Sequence, residues 1–146
     1  MENLILLDLS GNQEAVLDNA YDIILTSEIN GIDTLEFNIP FSDGKRQYLE
    51  NEKQIKVHDD IYRIRTITDE KGETGTAITS VYAEAAFYDL GFSVKKEQTD
   101  FNADTADAPI AYALTGTDWT METVNVRTKR TWTCNEKNAL AILRKV

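Results

Sequence analysis

The sequence predicts a mainly β protein with short helices, an α+β chain, and three observations carry that prediction. Apolar residues recur at alternate positions through most of the stretch from Tyr21 to Glu84, the period of a half-buried strand. Clusters rich in Gly, Asn and Asp cut this stretch at spacings suited to hairpins. Beyond Glu84 the alternation fades, and a charged, small-residue run, KKEQTDFNADTADA, reads as the connection between two packing units.

Taken in order, LILLDL opens as a short strand, and SGNQ, with Gly11 and Asn12, turns the chain. AYDIILTSEINGIDTLEFNIP then reads as a hairpin. A two-residue loop at Asn30-Gly31 would set Leu25 opposite Glu36 and Ile23 opposite Asn38. A three-residue loop, Ile29-Asn30-Gly31, instead pairs Leu25 with Leu35, Ile23 with Phe37 and Tyr21 with Ile39. That register gathers one apolar face and asks Gly31 for the left-handed conformation of a bulged loop. Pro40, with no amide hydrogen to give a ladder, ends the strand.

FSDGKRQYLENE is polar, marked by a turn at Gly44, with room for one helical turn. In QIKVHDDIYRIRTI, a two-residue loop at Asp59-Asp60 sets Val57 against Tyr62 and Ile55 against Ile64. Lys56, His58, Ile61 and Arg63 then share the other face, with His58 at a solvent rim. Gly72 and Gly75 allow the next bend into TAITSVYAEA, a loop too long for pattern alone to fix its register. Further on, Pro109–Leu114 makes a short helix, with Pro109 in the first turn and Gly116 as its stop. DWTMETVNV and TKRTWTC read as two strands around Trp119 and Trp132. Asn135 is expected to cap a last helix with Leu140, Leu143 and Val146 on one face. A helix ending on its own apolar face is the expectation for a domain cut short.

Charge narrows the function classes. With 25 acidic against 15 basic residues and a net charge of −10, the 146-residue chain is ill suited to wrapping a phosphate backbone. Cys134 is the single cysteine, so no internal disulfide forms, and a quiet thiol near a strand end is its expected state. The first residues carry no basic leader, and their apolar run is broken at Asp8, too early for a signal segment. With no stretch approaching a membrane span, a soluble product is expected.

Each candidate site has a structural reading beside the chemical one. His58-Asp59-Asp60 places the chain's one histidine beside two carboxylates, but adjacent strand residues alternate sides and no second histidine completes a metal site; a turn is expected. Asp100, Asn102 and Asp104 alternate like the start of an EF-hand loop, yet Thr105 stands where glycine is needed and Ala111 where glutamate is needed. Arg127, Lys129, Arg130 and Trp132 make a basic strip, read as a solvated strand face with snorkelling side chains rather than a nucleic-acid contact. There is neither a nucleophile elbow nor a phosphate-cradling glycine loop. The expectation is therefore no catalytic, metal or cofactor residue.

The ordered succession LTSEINGIDTLEFNIP, NEKQIKVHDDIYRIRTI, VYAEAAFYDL, PIAYALTGTDWTMETVNV and TKRTWTCNEKNALAIL resembles the N-terminal region of bacteriophage tail-tip hub proteins. These are the minor structural proteins, tail-associated lysins or prophage tail endopeptidases of phages of Gram-positive bacteria. The resemblance covers nearly the whole chain; the hairpin closing on IYRI, the VYAEA strand followed by Tyr88-Asp89-Leu90, and the Leu-Thr-Gly-Thr-Asp-Trp turn carry most of it. It implies an antiparallel β-barrel-like hub domain over residues 1–95, followed by the start of a smaller α/β domain over 96–146. It also implies a homotrimeric ring at the virion tail tip, assembled in the host bacterial cytoplasm, that closes the distal end of the tail tube. The partners implied are a distal tail protein and a tape-measure protein, with DNA passing through unbound and no membrane insertion by this segment. Lytic activity, on that likeness, belongs to C-terminal extensions. Two rivals remain: a carbohydrate- or cell-wall-binding β-module using Trp119, Trp132, Tyr48 or Tyr88, and part of a peptidoglycan-degrading enzyme using His58 or the carboxylates.

Overall fold

The computed structural model describes residues 3–29, 31–71, 75–95 and 97–146. The chain divides into two compact units, Met1–Ala86 and Phe87–Val146, where the sequence places the division after residue 95. Strands dominate the first unit, the second holds more helical than strand residues, and all the helices are short.

Unit 1 is an antiparallel sheet of seven strands: β1 (Ile5–Leu7), β2 (Gln13–Val16), β3 (Tyr21–Ser27), β4 (Asp33–Pro40), β5 (Gln54–Val57), β6 (Asp60–Lys71) and β7 (Ala77–Ala85). Their spatial order is β2-β1-β5-β6-β7-β4-β3. No pairing joins β2 to β3 among the described residues, so the ladder stays open and is not closed into the expected barrel. Alternate side chains of these strands supply the core: Leu6 from β1, Leu35, Phe37 and Ile39 from β4, Ile55 and Val57 from β5, Tyr62 and Ile64 from β6, Val81 and Ala83 from β7.

Turn chemistry sets the registers. Asp8 ends β1 and accepts the amides of Ser10 and Asn12, both at 2.8 Å, while Gly11 takes φ 84, so the polar run after LILL returns as β2. In the β3–β4 hairpin Leu25 lies opposite Leu35, as the apolar match requires. Toward Tyr21 the match slips, because Asp22 adopts φ 51 in a bulge and Tyr21 falls opposite Asn38 instead of Ile39. The Glu28 amide donates to the Ile32 carbonyl at 2.8 Å across the loop. Asn30 lies outside the described residues, and with it the backbone angle expected of Gly31.

At the β5–β6 hairpin the two-residue loop is His58-Asp59, one position earlier than expected, with Val57 opposite Asp60 and Ile55 opposite Tyr62. His58 accepts φ 54 at the first central position, a conformation for which this loop offers no glycine. Moving the loop by one residue moves every partner by two, so parity is kept and the apolar face survives. Between β4 and β5, Asp43 caps a 3-10 turn, Gly44–Tyr48, by accepting the Lys45 amide at 2.7 Å. Gly72 lies outside the described residues; the β6–β7 register that pattern could not fix sets Lys71 opposite Ala77.

Unit 2 begins in a 3-10 stretch, Ala86–Phe92, and pairs β8 (Thr99–Asp104) antiparallel with β9 (Arg130–Cys134). The run expected to be a connection is therefore partly strand, and Phe101 is the one buried side chain of that strand. Residues 118–129, expected to hold a strand, have no regular structure. Helix α1 (Asp107–Leu114) carries Pro109 in its first turn, and the chain turns away at Gly116 with φ 78. Helix α2 (Ala139–Leu143) is capped by Asn138, not Asn135, whose side chain accepts the Ala141 amide at 2.8 Å. Its buried face is Ala139 and Ile142; Leu140 and Leu143 pack at the margin of the same core, and Val146 is exposed. Leu90, Phe101, Ala113 and Cys134 complete that core. No helix of the described residues is long and apolar enough to cross a membrane.

Candidate interaction surfaces

His58, Asp59 and Asp60 are all exposed at the tip of the β5–β6 hairpin. The carboxylates of the acidic run serve local structure: Asp100 accepts the Thr133 hydroxyl at 2.7 Å and Asp104 accepts the Asn102 amide at 3.0 Å. Ala103 sits at φ 53 in a bulge between Phe101 and Asp104, so the run is a bulged, paired strand and not a loop wrapped round an ion. Cys134 is buried at 1 % exposure, and its thiol faces the Glu136 carboxylate at 3.7 Å. No cluster of three His, Cys, Asp or Glu side chains suited to a metal ion occurs among the described residues.

Of the aromatic side chains, Tyr48 belongs to unit 1 and Tyr88, Trp119 and Trp132 to unit 2. Trp132 stacks obliquely on Phe101 at 5.3 Å, and Phe101 meets the edge of Tyr112 at 5.9 Å, so this ring belongs to the margin of the unit 2 core. Tyr88 stacks on Phe87 at 4.3 Å beneath the Arg144 guanidinium. Trp119 is 43 % exposed in the irregular segment, and Tyr48 ends the 3-10 turn of unit 1.

Charged side chains that pattern reading passed over are structural. Lys53 is 7 % exposed; its ammonium donates to Glu14 Oε2 and to the Tyr48 carbonyl, each at 2.8 Å. The Glu14 hydrogen bond, set against the cost of burial, pushes the Lys53 pKa above its ordinary value. Arg46 donates to Thr79 Oγ1 at 3.1 Å and pairs with Asp69, whose carboxylate also accepts the Thr79 hydroxyl at 2.7 Å. The Thr79 hydroxyl, then Arg46, hold the Asp69 carboxyl below its usual range. Tyr62, buried against Asp33 with its hydroxyl donating at 3.2 Å, has its pKa pushed up to about 12, first by desolvation and then by that carboxylate. Lys95 in unit 2 donates to the Tyr112 and Thr115 carbonyls at 3.0 and 2.7 Å, closing the C-terminus of α1. In the sequence these lysines look like any surface cation; burial needs the fold.

Surfaces open to recognition among the described residues include two with apolar side chains. One is the end of the β3–β4 hairpin, where Ile29 is 98 % and Ile32 54 % exposed, beside Ile24 and Leu25 on the open edge of β3. Its sequence signal is the pair of isoleucines flanking a turn, a place where polar residues are the norm. The other is a cleft of about 480 Å³ in unit 2, between β9, the start of α1 and the chain's last residues, lined by Val126, Thr128, Arg130, Trp132, Lys145 and Val146 among others. Of the basic strip only Arg130 and Trp132 line it; Arg127 lies 3.8 Å from Asp107, and the lining Lys145 is paired with Glu136.

An open antiparallel sheet followed by a small α/β unit defines a mainly β protein of two units. Comparison with known proteins agrees and is more specific. Residues 4–85 match the prophage endopeptidase tail N-terminal domain, and residues 93–146 match the prophage endopeptidase tail domain. The chain belongs to this prophage tail family and is a phage tail component. Its fold is similar to the crystal structure of prophage tail protein gp18 from Listeria monocytogenes EGD-e, with a TM-score of 0.77 at 12 % identity over 98 % of this chain. The chain spans 44 % of the length of that protein. No curated protein sequence matches it.

Proposed function

We propose that the chain is a structural hub of the tail tip, non-catalytic in this segment, that closes the distal end of the tail tube and mediates baseplate assembly and channel opening. The observation that carries this reading is the succession of two tail-domain family matches over 4–85 and 93–146, in the order of the two compact units. In this reading unit 1 joins neighbours through the free edges β2 and β3 of its open sheet. Copies of the chain, three on the hub likeness, ring a conduit beneath the distal tail protein, contact the tape-measure protein and assemble in the host cytoplasm.

Charge fits that role. Unit 1 holds 17 carboxylates against 7 cationic side chains, whereas unit 2 is balanced. A conduit wall that repels phosphates lets DNA pass without the counterion-release affinity that lysine or arginine contacts would create. Native mass spectrometry of the tail protein tests the ring: a closed trimer is expected, and a monomer at assembly concentrations contradicts it. Zymography against peptidoglycan tests the absence of catalysis in this segment, since clearing by the purified chain would overturn it.

A further inference from the structure

We infer that the cleft of unit 2 binds a neutral saccharide. Such a site would serve a hub and any other tail component alike, so either reading can fail without the other. Charge sets the class of ligand. The two cations lining the cleft are offset: the Lys145 ammonium is paired with Glu136, and Arg130 stands opposite Asp104 in the β8–β9 ladder. The start of α1 adds no anion site, since Asp107 occupies its first turn and Pro109 has no amide hydrogen. A charged ligand would give up its hydration here without meeting a net opposite charge, whereas an uncharged one escapes that cost.

The wall is nonetheless rich in polar groups with nothing to bond. The Thr105 and Thr128 hydroxyls, the Arg130 guanidinium and the Trp132 indole N–H belong to lining residues, and none of them has a hydrogen-bond partner among the described residues. Apolar surface lies between them, from Pro109, Val126 and the ring of Trp132, which Phe101 steadies at 5.3 Å. A sugar ring has both characters. Hydroxyls round its edge donate and accept, which suits the threonines and Arg130 on one side and the Asp104 carboxylate on the other, while its C–H face packs on an aromatic ring. At about 480 Å³, with a few polar groups set among apolar ones, the cleft falls in the range of small-ligand sites and has room for a short oligosaccharide.

Nuclear magnetic resonance of the isotope-labelled chain reads the contact at the indole itself. The two tryptophans give two indole N–H signals, which Trp119→Phe assigns, and Trp119, outside the lining, is the internal reference. Chitotriose and maltotriose are the neutral probes, a hyaluronan tetrasaccharide the acidic control, and acetyl-trialanine amide the neutral peptide control. At about 10 mM probe, at least one trisaccharide is expected to move the Trp132 signal and leave that of Trp119 in place. A response to chitotriose alone assigns an acetamido sugar, and one to maltotriose alone a plain hexose. Arg130→Ala with Thr128→Val, both at exposed positions, should weaken binding by roughly tenfold with the remaining spectrum unchanged. Lys129→Ala, outside the lining, should leave it as it is. A Trp132 signal silent toward both trisaccharides overturns the inference. So does hyaluronan or the peptide binding as well as the neutral sugars, or an affinity that the double variant does not alter.

Discussion

Replacing Lys53 by Met removes an ammonium and keeps the length of the side chain, so its cost isolates the polar contacts. Two charge-assisted hydrogen bonds are lost, to Glu14 and to the Tyr48 carbonyl, each 2.8 Å long. Hydrogen bonds to charged groups contribute about 1.5–3 kcal/mol apiece. The lysine side chain is 8 % exposed but Glu14 is 27 % exposed, so water recovers part of what the carboxylate loses. The expected destabilisation is about 3 kcal/mol, with no cavity contribution. Lys53 has its pKa raised, so its contribution is present in full below the ordinary lysine value and fades only as pH climbs through the higher folded value. The difference between wild type and variant should therefore be flat from neutral to mildly alkaline pH. Urea unfolding followed by far-ultraviolet circular dichroism is the assay, since unit 1 has no tryptophan. Combined with Glu14→Gln, the variant should show a coupling of about 1–2 kcal/mol. A Lys53→Met protein within about 0.5 kcal/mol of wild type, the range of ordinary surface substitutions, would refute the view that this lysine fastens edge strand β2 to the sheet.

His58→Gly should stabilise unit 1 by about 0.5–1 kcal/mol, because glycine accepts the positive φ of that turn without the side-chain clash; a lowered urea midpoint would contradict the turn geometry. Tyr62 should stay protonated in the folded protein until pH nears 12. Since its folded pKa exceeds the unfolded one near 10, the stability it contributes is complete below about pH 10 and is lost between there and about pH 12. Phenolate absorbance during alkaline titration checks this, and Tyr62→Phe should abolish the late step. Lys95→Met should cost about 2 kcal/mol through the two carbonyls it leaves at the end of α1; tryptophan fluorescence reads it, as both tryptophans lie in unit 2, and an unshifted transition would argue against that cap. Gly31→Ala should destabilise the β3–β4 hairpin by at least about 1 kcal/mol, since an added Cβ would stand 2.7 Å from the Glu28 Cβ; equal urea midpoints would count against that packing.

Period two made the long strands legible. Leu25 finds Leu35 because no other register gathers the apolar side chains of both strands. The misses have physical causes. β8 hid in an acidic run because a strand in a two-stranded ladder buries only Phe101, leaving no alternation to read. β2 hid for a similar reason, being a four-residue edge strand with two exposed positions. The loop at His58 slipped by one because HDD contains no glycine to mark the residue with positive φ. The helix cap moved from Asn135 to Asn138 because both are good caps, and packing of Ala139 and Ile142 decides between them. As for the site, the basic strip Arg127–Arg130 was visible as charge, but the cleft that Arg130 and Trp132 line forms only when β9, α1 and the chain's last residues come together. Ile29 stands in the sequence as one residue of a three-residue loop, and its full exposure shows only in the fold.

Immunogold labelling of phage particles released by prophage induction, with antibody raised against this chain, tests the central claim most directly. The hub reading predicts gold at the distal end of the tail. Gold along the tube or on the capsid, or particles that carry none while the chain stays in the lysate, would contradict it.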